Sequence, residues 1–194
     1  EVKLGDGTSY VGTSLASAPL PTDAPFVSST DVGRAGANAD NVRRCYSGTL
    51  DPAKVAGKVV QCDRGGNART DKSAAVKAAG GVGMVLVNVG DNSLDPDYHF
   101  VPTVHTTDVQ AIRDYAKTKG ATVSFAVPAV DDPRIPPTPL VAGFSSRGPS
   151  VQMDGDVIKP DLAAPGVGVL AAVAPPTNFG RSFDFYSGTS MSSP

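Results

Sequence analysis

Residues 187–194 carry the clearest candidate for covalent chemistry, and they read Ser-Gly-Thr-Ser-Met-Ser-Ser-Pro. A serine hydroxyl is a useful nucleophile only beside a base, with N–H donors facing the oxyanion that forms when it attacks a carbonyl. Gly188 is expected to let the backbone turn sharply and to give a substrate carbonyl close access. A helix beginning at Ser190 would direct amide N–H groups toward negative charge, and Pro194 is compatible with its first turn. The segment predicts a nucleophile at Ser190, although such Ser, Thr and Gly clusters are also typical of plain loops.

Elements that could position this segment are predicted from hydrophobic runs and turn residues. Gly80 and Gly81 are expected to end a helix capped by Thr70 or Asp71, and Gly120 is expected to end a later helix. The central pattern is a β-α-β unit followed by a second helix and strand. In chain order the predicted elements are a hairpin at 1–12, a strand near 25–28, a strand at 57–62, a helix at 70–79, a strand at 82–88, a helix at 108–119, and strands at 121–127, 140–144 and 167–173.

Two changes in composition divide the chain into three parts. Residues 14–41 are rich in Pro, Ala, Ser and Asp, and residues 131–137 read Asp-Asp-Pro-Arg-Ile-Pro-Pro, which predicts a stiff linker. We therefore expect boundaries that give a first segment at 1–20, a domain at 21–130 and a final segment at 131–194. The middle part is long enough to bury its own core.

Bulk composition excludes several classes of partner. The chain has 194 residues, of which 40% are apolar and 19% charged, with a formal net charge of -2. This balance provides no basic surface for nucleic acid or for an anionic membrane. No apolar run approaches the roughly 20 residues that span a bilayer, and residues 1–7 do not resemble a signal peptide, so any export signal is expected upstream.

The two cysteines leave two alternatives open. Cys45 and Cys62 fit no zinc or redox spacing, so they form either a disulfide in an oxidising compartment or two unpaired core thiols. Asp154, Asp156 and Asp161 could suggest calcium, but a solvated turn and a structural motif position explain them better. No metal and no cofactor is expected.

Several motifs together resemble one protein family. Residues 187–194 resemble the nucleophile segment of subtilisin-like serine proteases, the subtilases. Residues 144–149, Phe-Ser-Ser-Arg-Gly-Pro, and 158–166, Ile-Lys-Pro-Asp-Leu-Ala-Ala-Pro-Gly, resemble the segment before it in plant-type and some bacterial members. Residues 57–65, Gly-Lys-Val-Val-Gln-Cys-Asp-Arg-Gly, and 77–84, Lys-Ala-Ala-Gly-Gly-Val-Gly-Met, are similar to the protease-associated domain inserted in that catalytic domain. The resemblance implies an α/β fold, with part of a parallel-sheet catalytic domain interrupted by an α+β, β-rich domain.

The resemblance also implies roles for individual residues. Ser190 would be the nucleophile, and its own backbone N–H, supported by Thr189, would contribute to the oxyanion hole. The general base His, its Asp and an oxyanion-hole Asn precede this segment in the family, so the chain alone is expected to be inactive. Ser193 stands where many plant members carry Cys. The residues implied to line the substrate cleft are Phe144, Tyr186, Gly188 and Met191.

Other polar groups receive structural interpretations. His99 and His105 are the only histidines, and both fall in the inserted domain, so neither is expected to be the general base. Arg64 and Arg69 lie beside Gly65 and Gly66 and could bind an anion, but a solvated loop is the simpler explanation.

The favoured function is a secreted endopeptidase that acts on protein or peptide substrates through a Ser/His/Asp triad. The inserted domain would modulate substrate access or self-association. Two alternatives remain open: a protein-binding module in which the inserted domain is the functional unit, and a non-catalytic pseudoprotease whose upstream residues have been replaced.

Overall fold

The computed structural model describes residues 1–17, 19–90, 93–151 and 154–193. Pro194, the last residue of the predicted nucleophile segment, lies outside the described residues. The chain folds as two compact units, Glu1–Pro136 and Pro137–Pro194. The boundaries expected near residues 20 and 130 stay predictions.

The described residues of the first unit form a seven-stranded mixed sheet. The strands are β1 (Val2–Leu4), β2 (Ser9–Tyr10), β3 (Ala24–Ser28), β4 (Val59–Asp63), β5 (Gly83–Val87), β6 (Thr103–Thr106) and β7 (Thr122–Phe125). Their order in the sheet is β2-β1-β7-β3-β4-β5-β6. Strands β3 to β6 are parallel, whereas β7 is antiparallel to both of its neighbours, β1 and β3. This arrangement confirms the predicted α/β class.

Short helices connect these strands, and local capping explains two of them. Asn38 accepts from two amides at the start of α1, and Asp51 accepts from the Ala53 amide at the start of α2, where Pro52 occupies the first turn. The helices are α1 (Ala39–Arg43), α2 (Pro52–Val55), α3 (Arg69–Ala78), α4 (Gln110–Tyr115) and, in the second unit, α5 (Thr189–Ser192). The second unit also contains β8 (Val169–Ala172) and β9 (Phe183–Tyr186).

Strands β4 and β5 lie between two hydrophobic cores, because every residue of both strands is buried. Successive side chains of a strand point to opposite faces of the sheet. Val59 and Val85 therefore belong to one core, while Val60 and Met84 belong to the other. Burial of every position is typical of parallel strands that are covered on both faces, although β4 also contains the polar residues Gln61 and Asp63.

The end of α3 confirms the predicted helix stop, but its start does not match the prediction. Gly80 has φ +80°, and its N–H donates to the Lys77 carbonyl at 2.9 Å, so the chain leaves the helix through a left-handed residue. The expected cap at Thr70 or Asp71 is wrong. The helix begins at Arg69, and the N-cap residue Ala68 offers no capping side chain.

Two further expectations are corrected by the structure, and two features were not predicted. The strand after the second helix was expected without a direction, and β7 pairs antiparallel with both β1 and β3. α4 is shorter than the predicted helix at 108–119. Residues 140–144 form no strand, and β6 was not predicted, because its Thr and His residues hide the fact that all four positions are buried.

The carboxylate of Asp63 joins three elements at the end of β4. Its side chain is 4% exposed, Arg43 Nη1 lies 2.7 Å from Oδ2, and Arg113 Nε lies 2.7 Å from Oδ1. Gln61 Nε2 donates to the same carboxylate at 2.9 Å. A buried charge is tolerated when it is paired and hydrogen-bonded in this way. Asp63 therefore fastens α1 and α4 to the central strand.

A disulfide joins Cys45 to Cys62, across 17 positions of sequence. Both cysteines are fully buried in the core that also contains Val60 and Met84. Of the two alternatives that the sequence leaves open, the structure contains the bridge. The bond ties the segment after α1 to β4.

Loss of this bridge should lower the free energy of unfolding of the chain. Replacing both Cys45 and Cys62 with Ser removes a cross-link that restricts the unfolded chain, and the expected loss is about 3 kcal/mol. Urea unfolding followed by circular dichroism measures it. The unsubstituted chain in reducing agent is the control and should approach the variant, whereas equal midpoints for oxidised chain and variant would contradict the prediction.

His105 is the buried histidine of β6 and is held as a neutral ring. Its Nε2 lies 2.7 Å from Asn88 Oδ1, and its Nδ1 lies 3.3 Å from the Asp95 backbone nitrogen. Asn88 is oriented by its own donation to the Ser93 carbonyl at 2.7 Å, so His105 donates from Nε2 and accepts at Nδ1. Burial of the ring lowers the pKa of His105 to about 4.

Acid should therefore destabilise the first unit through His105. Below the ordinary histidine pKa, His105 binds a proton in the unfolded chain but not in the folded chain. The stability that the neutral ring contributes is therefore fully present at neutral pH, and it is lost as the pH falls toward the pKa of about 4 in the folded chain. The expected loss is about 2 kcal/mol between about pH 8 and about pH 5. Urea unfolding at both pH values measures it.

The matched variant for this measurement is His105→Gln, which keeps polar atoms but does not titrate. It should show a smaller difference between the two pH values than the unsubstituted chain. An equal pH dependence in both proteins would contradict the assignment to His105.

Candidate active site

An antiparallel ribbon of β8 and β9 leads into the predicted nucleophile segment. Val169 pairs with Tyr186 at the end next to that segment, and Ala172 pairs with Phe183 at the other end. Because of this pairing, residues 187–193 lie beside the residues that precede β8.

Two hydrogen bonds fix the chain between β9 and α5. The Gly188 N–H donates to the Gly166 carbonyl at 2.8 Å, and Ser187 Oγ accepts from the Gly168 N–H at 3.0 Å. A Cβ at Gly166 would lie 3.1 Å from the Gly188 oxygen, so the close approach favours glycine there. The turn before α5 is therefore held by backbone groups on the neighbouring segment.

Ser190 lies in the first turn of α5 and is exposed. Among the described residues, its hydroxyl forms no hydrogen bond and no ion pair. The hydroxyls of Ser192 and Ser193 differ, because both donate to the Thr189 carbonyl, at 3.0 and 2.8 Å. The amide of Ser190 belongs to the first turn, where helices leave N–H groups without an intrahelical acceptor.

The chain bends at Gly188, as expected, but not through a left-handed residue. Its backbone is extended, with φ 160° and ψ 163°, a conformation open to any residue. A Cβ there would lie 3.6 Å from Met191 Sδ and 3.9 Å from the Ser190 nitrogen, both ordinary contacts. The fold of this segment does not require glycine at 188, so any requirement must come from what binds over it.

The residues implied to line the cleft are only partly brought together. Tyr186, Gly188 and Met191 are consecutive parts of the strand, turn and helix that carry Ser190. Tyr186 donates to Asn178 Oδ1 at 2.9 Å, whereas Met191 is half-buried. Phe144 is 41% exposed in an irregular segment, and among the described residues no hydrogen bond or ring contact joins it to the turn.

Asn178 and Asp184 are buried polar residues near the predicted site that sequence reasoning missed. They are the buried residues of the second unit in the part the structure describes, and both are polar. Asn178 Nδ2 donates to the Ala174 carbonyl at 2.9 Å, and Arg181 lies 3.0 Å from Asp184. The left-handed Phe179 and Gly180 after Asn178 mark a tight turn that the sequence could have indicated.

The two histidines are engaged within the first unit. His105 bonds to Asn88 as described above, and His99 Nδ1 lies 3.1 Å from Ser73 Oγ, with Nε2 4.0 Å from Asp97. This Ser, His and Asp grouping is not a second nucleophile, because Ser73 is fully buried and donates to the Thr70 carbonyl.

Arg64 and Arg69 bind carboxylates of the chain itself. Arg64 Nη2 lies 3.2 Å from Asp95, and Arg69 lies 3.1 Å from Asp95 and 2.5 Å from Asp97. Both arginines therefore form ion pairs with acids of the chain itself. The sequence suggested either an anion site or a solvated loop here, and the structure shows an ion-paired loop instead. Within the described ranges, no group of three or more His, Cys, Asp or Glu side chains converges as a metal site would require.

A separate groove of about 690 Å³ lies in the first unit. Its lining is mostly apolar and includes Leu15, Leu20, Tyr98 and Phe100. None of the predicted site residues lines it. In the described part of the chain, no helix has the length and apolar character needed to cross a membrane.

Comparisons with known proteins agree with these features. The model of the PA domain matches residues 22–112. The chain is similar to three proteins of Arabidopsis thaliana: it is 43% identical to subtilisin-like protease SBT1.7, 42% to SBT1.4 and 38% to SBT5.3, in each case over 98% of this chain. It spans about a quarter of their length, 26%, 25% and 26% respectively.

The alignments extend over both units, from the PA-domain sheet to the segment that carries Ser190. The chain belongs to the subtilisin-like protease family and contains a PA domain.

Proposed function

We propose that this chain is part of a serine endopeptidase that hydrolyses peptide bonds of protein or peptide substrates, with Ser190 as its nucleophile. The observation that carries the proposal is the exposed Ser190 hydroxyl, which forms no hydrogen bond among the described residues and lies in the first turn of a helix. The names of the relatives support the class of reaction.

The mechanism follows from the position of this hydroxyl. Ser190 Oγ attacks the scissile carbonyl carbon while a histidine takes its proton, which gives a tetrahedral oxyanion. The Ser190 N–H, supported by Thr189, donates to that oxyanion. Collapse breaks the C–N bond as the histidine protonates the leaving amine, and water then hydrolyses the acyl-serine.

The base and its partners must come from other parts of the protein. The two histidines of this chain, His99 and His105, are engaged in the PA-domain unit. We infer that a His, an Asp and an oxyanion-hole Asn outside residues 1–194 complete the site, and that the chain alone has no activity. Phe144, Tyr186, Gly188 and Met191 would line the substrate cleft.

The exposed apolar surface of the second unit supports its being part of a larger domain. In the described residues it buries no apolar side chain, while Leu140, Leu170 and Phe183 are each more than half exposed. A two-stranded ribbon is marginally stable without a covered face. The rest of the catalytic domain would cover this surface.

The buried disulfide between Cys45 and Cys62 supports secretion, because such bonds persist in oxidising compartments.

The nucleophile assignment is tested by covalent labelling of the whole protein. A fluorophosphonate should label the unsubstituted protein and fail to label Ser190→Ala, because the reagent needs an activated hydroxyl. Ser192→Ala is the matched control and should still label, since that hydroxyl is bonded to the Thr189 carbonyl. The isolated 194-residue chain should not label.

Labelling of Ser190→Ala at the unsubstituted level would refute the assignment. If the whole protein does not label at all and lacks the upstream His or Asp, the pseudoprotease alternative is supported instead.

A second test separates folding from substrate contact at Gly188. Gly188→Ala should leave the unfolding midpoint unchanged, because the added Cβ meets only ordinary contacts. In the whole protein it should lower kcat/KM on a short peptide about tenfold or more, by crowding the substrate carbonyl. Full activity in the variant would show that no carbonyl approaches Gly188.

A further inference from the structure

The connection between β8 and β9 folds back over one face of the ribbon that these strands form. Successive residues of a strand point to opposite faces, so Asp184 and Tyr186 of β9 lie on the same face. Arg181 Nη2 lies 3.0 Å from Asp184 Oδ2, and the Tyr186 hydroxyl donates to Asn178 Oδ1 at 2.9 Å. Both partners belong to the connection, which therefore covers this face, whereas Phe183 on the opposite face is 60% exposed.

Asn178 is itself held in one position within the connection. It is buried, and its Nδ2 donates to the Ala174 carbonyl at 2.9 Å. Its backbone N–H donates to the Pro175 carbonyl at 3.1 Å, and its carbonyl accepts from the Arg181 N–H at 3.0 Å. Because the donation from Nδ2 orients the carboxamide, the acceptor Oδ1 faces the phenol of Tyr186. Asn178 therefore provides a fixed anchor for that phenol.

Tyr186 is the first of three consecutive anchored residues that precede Ser190. It is the last residue of β9, and its phenol is bonded to the β8–β9 connection through Asn178. The next two residues, Ser187 and Gly188, are bonded to the segment before β8, as described above. The turn before α5 is thus held from two different parts of the second unit. The position of Tyr186 therefore affects the position of everything that follows it in this segment.

We propose that Asn178 is a positioning residue for the nucleophile: it holds the phenol of Tyr186, fixes the end of β9 and so sets the direction in which α5 presents the Ser190 hydroxyl. Attack requires the reacting atoms to approach to about 3–3.5 Å in alignment, so a small displacement of Ser190 lowers the rate of attack more than the affinity for substrate. The ring of Tyr186 remains free to line the cleft, whereas its hydroxyl is committed to Asn178. This inference rests on the proposed protease function, because it assigns a role in presenting Ser190.

The inference is tested on the whole protein with a short chromogenic peptide. Tyr186→Phe removes only the phenol hydroxyl and should lower kcat about fivefold or more, with KM unchanged. The rate of fluorophosphonate labelling at Ser190 should fall by the same factor. The kcat is expressed per site that the reagent finally labels, so a misfolded fraction does not lower it. Tyr10→Phe is the matched control and should change neither rate, because the Tyr10 hydroxyl forms no hydrogen bond among the described residues.

A double-mutant cycle shows whether Tyr186 acts through Asn178. Asn178→Ala should lower kcat at least as much as Tyr186→Phe, and the double variant should lose no more than Asn178→Ala alone, because both changes remove the same bond. Additive losses, or a raised KM with unchanged kcat in Tyr186→Phe, would mean that the phenol contacts substrate directly and would overturn the positioning role.

The failure of this inference differs from the failure of the protease assignment. Labelling that survives Ser190→Ala would overturn the assignment and the inference together. Labelling that requires Ser190 but proceeds at the full rate in Tyr186→Phe would overturn the inference alone.

Discussion

The burial of β4 and β5 on both faces is the constraint on which the first unit depends. Every residue of these two strands is inaccessible to water, so layers must cover the sheet above and below. α3 covers one face, and its buried Val76 packs in the core that contains the disulfide. α4 covers the other face with Ile112.

Charged groups in the first unit are placed where they can be compensated. Asp63 ends a buried strand and is held by two arginines from different helices. Lys72 is fully buried on α3, yet its Nζ donates to the carbonyls of Arg44 and Gly65 at 2.7 and 2.9 Å and to the Asn67 side chain. Burial lowers its pKa to about 8. These contacts fasten loops to the sheet, which explains why polar residues occupy positions that a hydrophobic pattern would leave to apolar ones.

The second unit is organised differently, because backbone hydrogen bonds rather than a core hold the segment that carries Ser190. Gly166 and Gly168 bond to Gly188 and Ser187, and the ribbon behind them leaves apolar side chains exposed. Such an arrangement can present a hydroxyl accurately, but it depends on surrounding protein for its rigidity. Catalytic triads commonly consist of residues from distant parts of a chain, so the nucleophile and its base can lie on different elements of a domain.

Local sequence determined those features that depend on neighbouring residues. The buried strands at 59–63 and 83–87, the glycine at 80 and the Ser-Gly-Thr-Ser segment were readable because a strand, a left-handed stop and a motif each occupy a few consecutive positions. The antiparallel pairing of β7, the bridge between Cys45 and Cys62 and the double pairing of Asp63 were decided only by tertiary structure. Each of these joins residues that are far apart in the chain, and no local pattern fixes which distant partner a charge, a thiol or a strand edge will meet. Gly188 illustrates the same limit, since the bend there was predictable from the sequence, whereas its extended φ and ψ and its hydrogen bond to Gly166 depend on a segment more than 20 positions away.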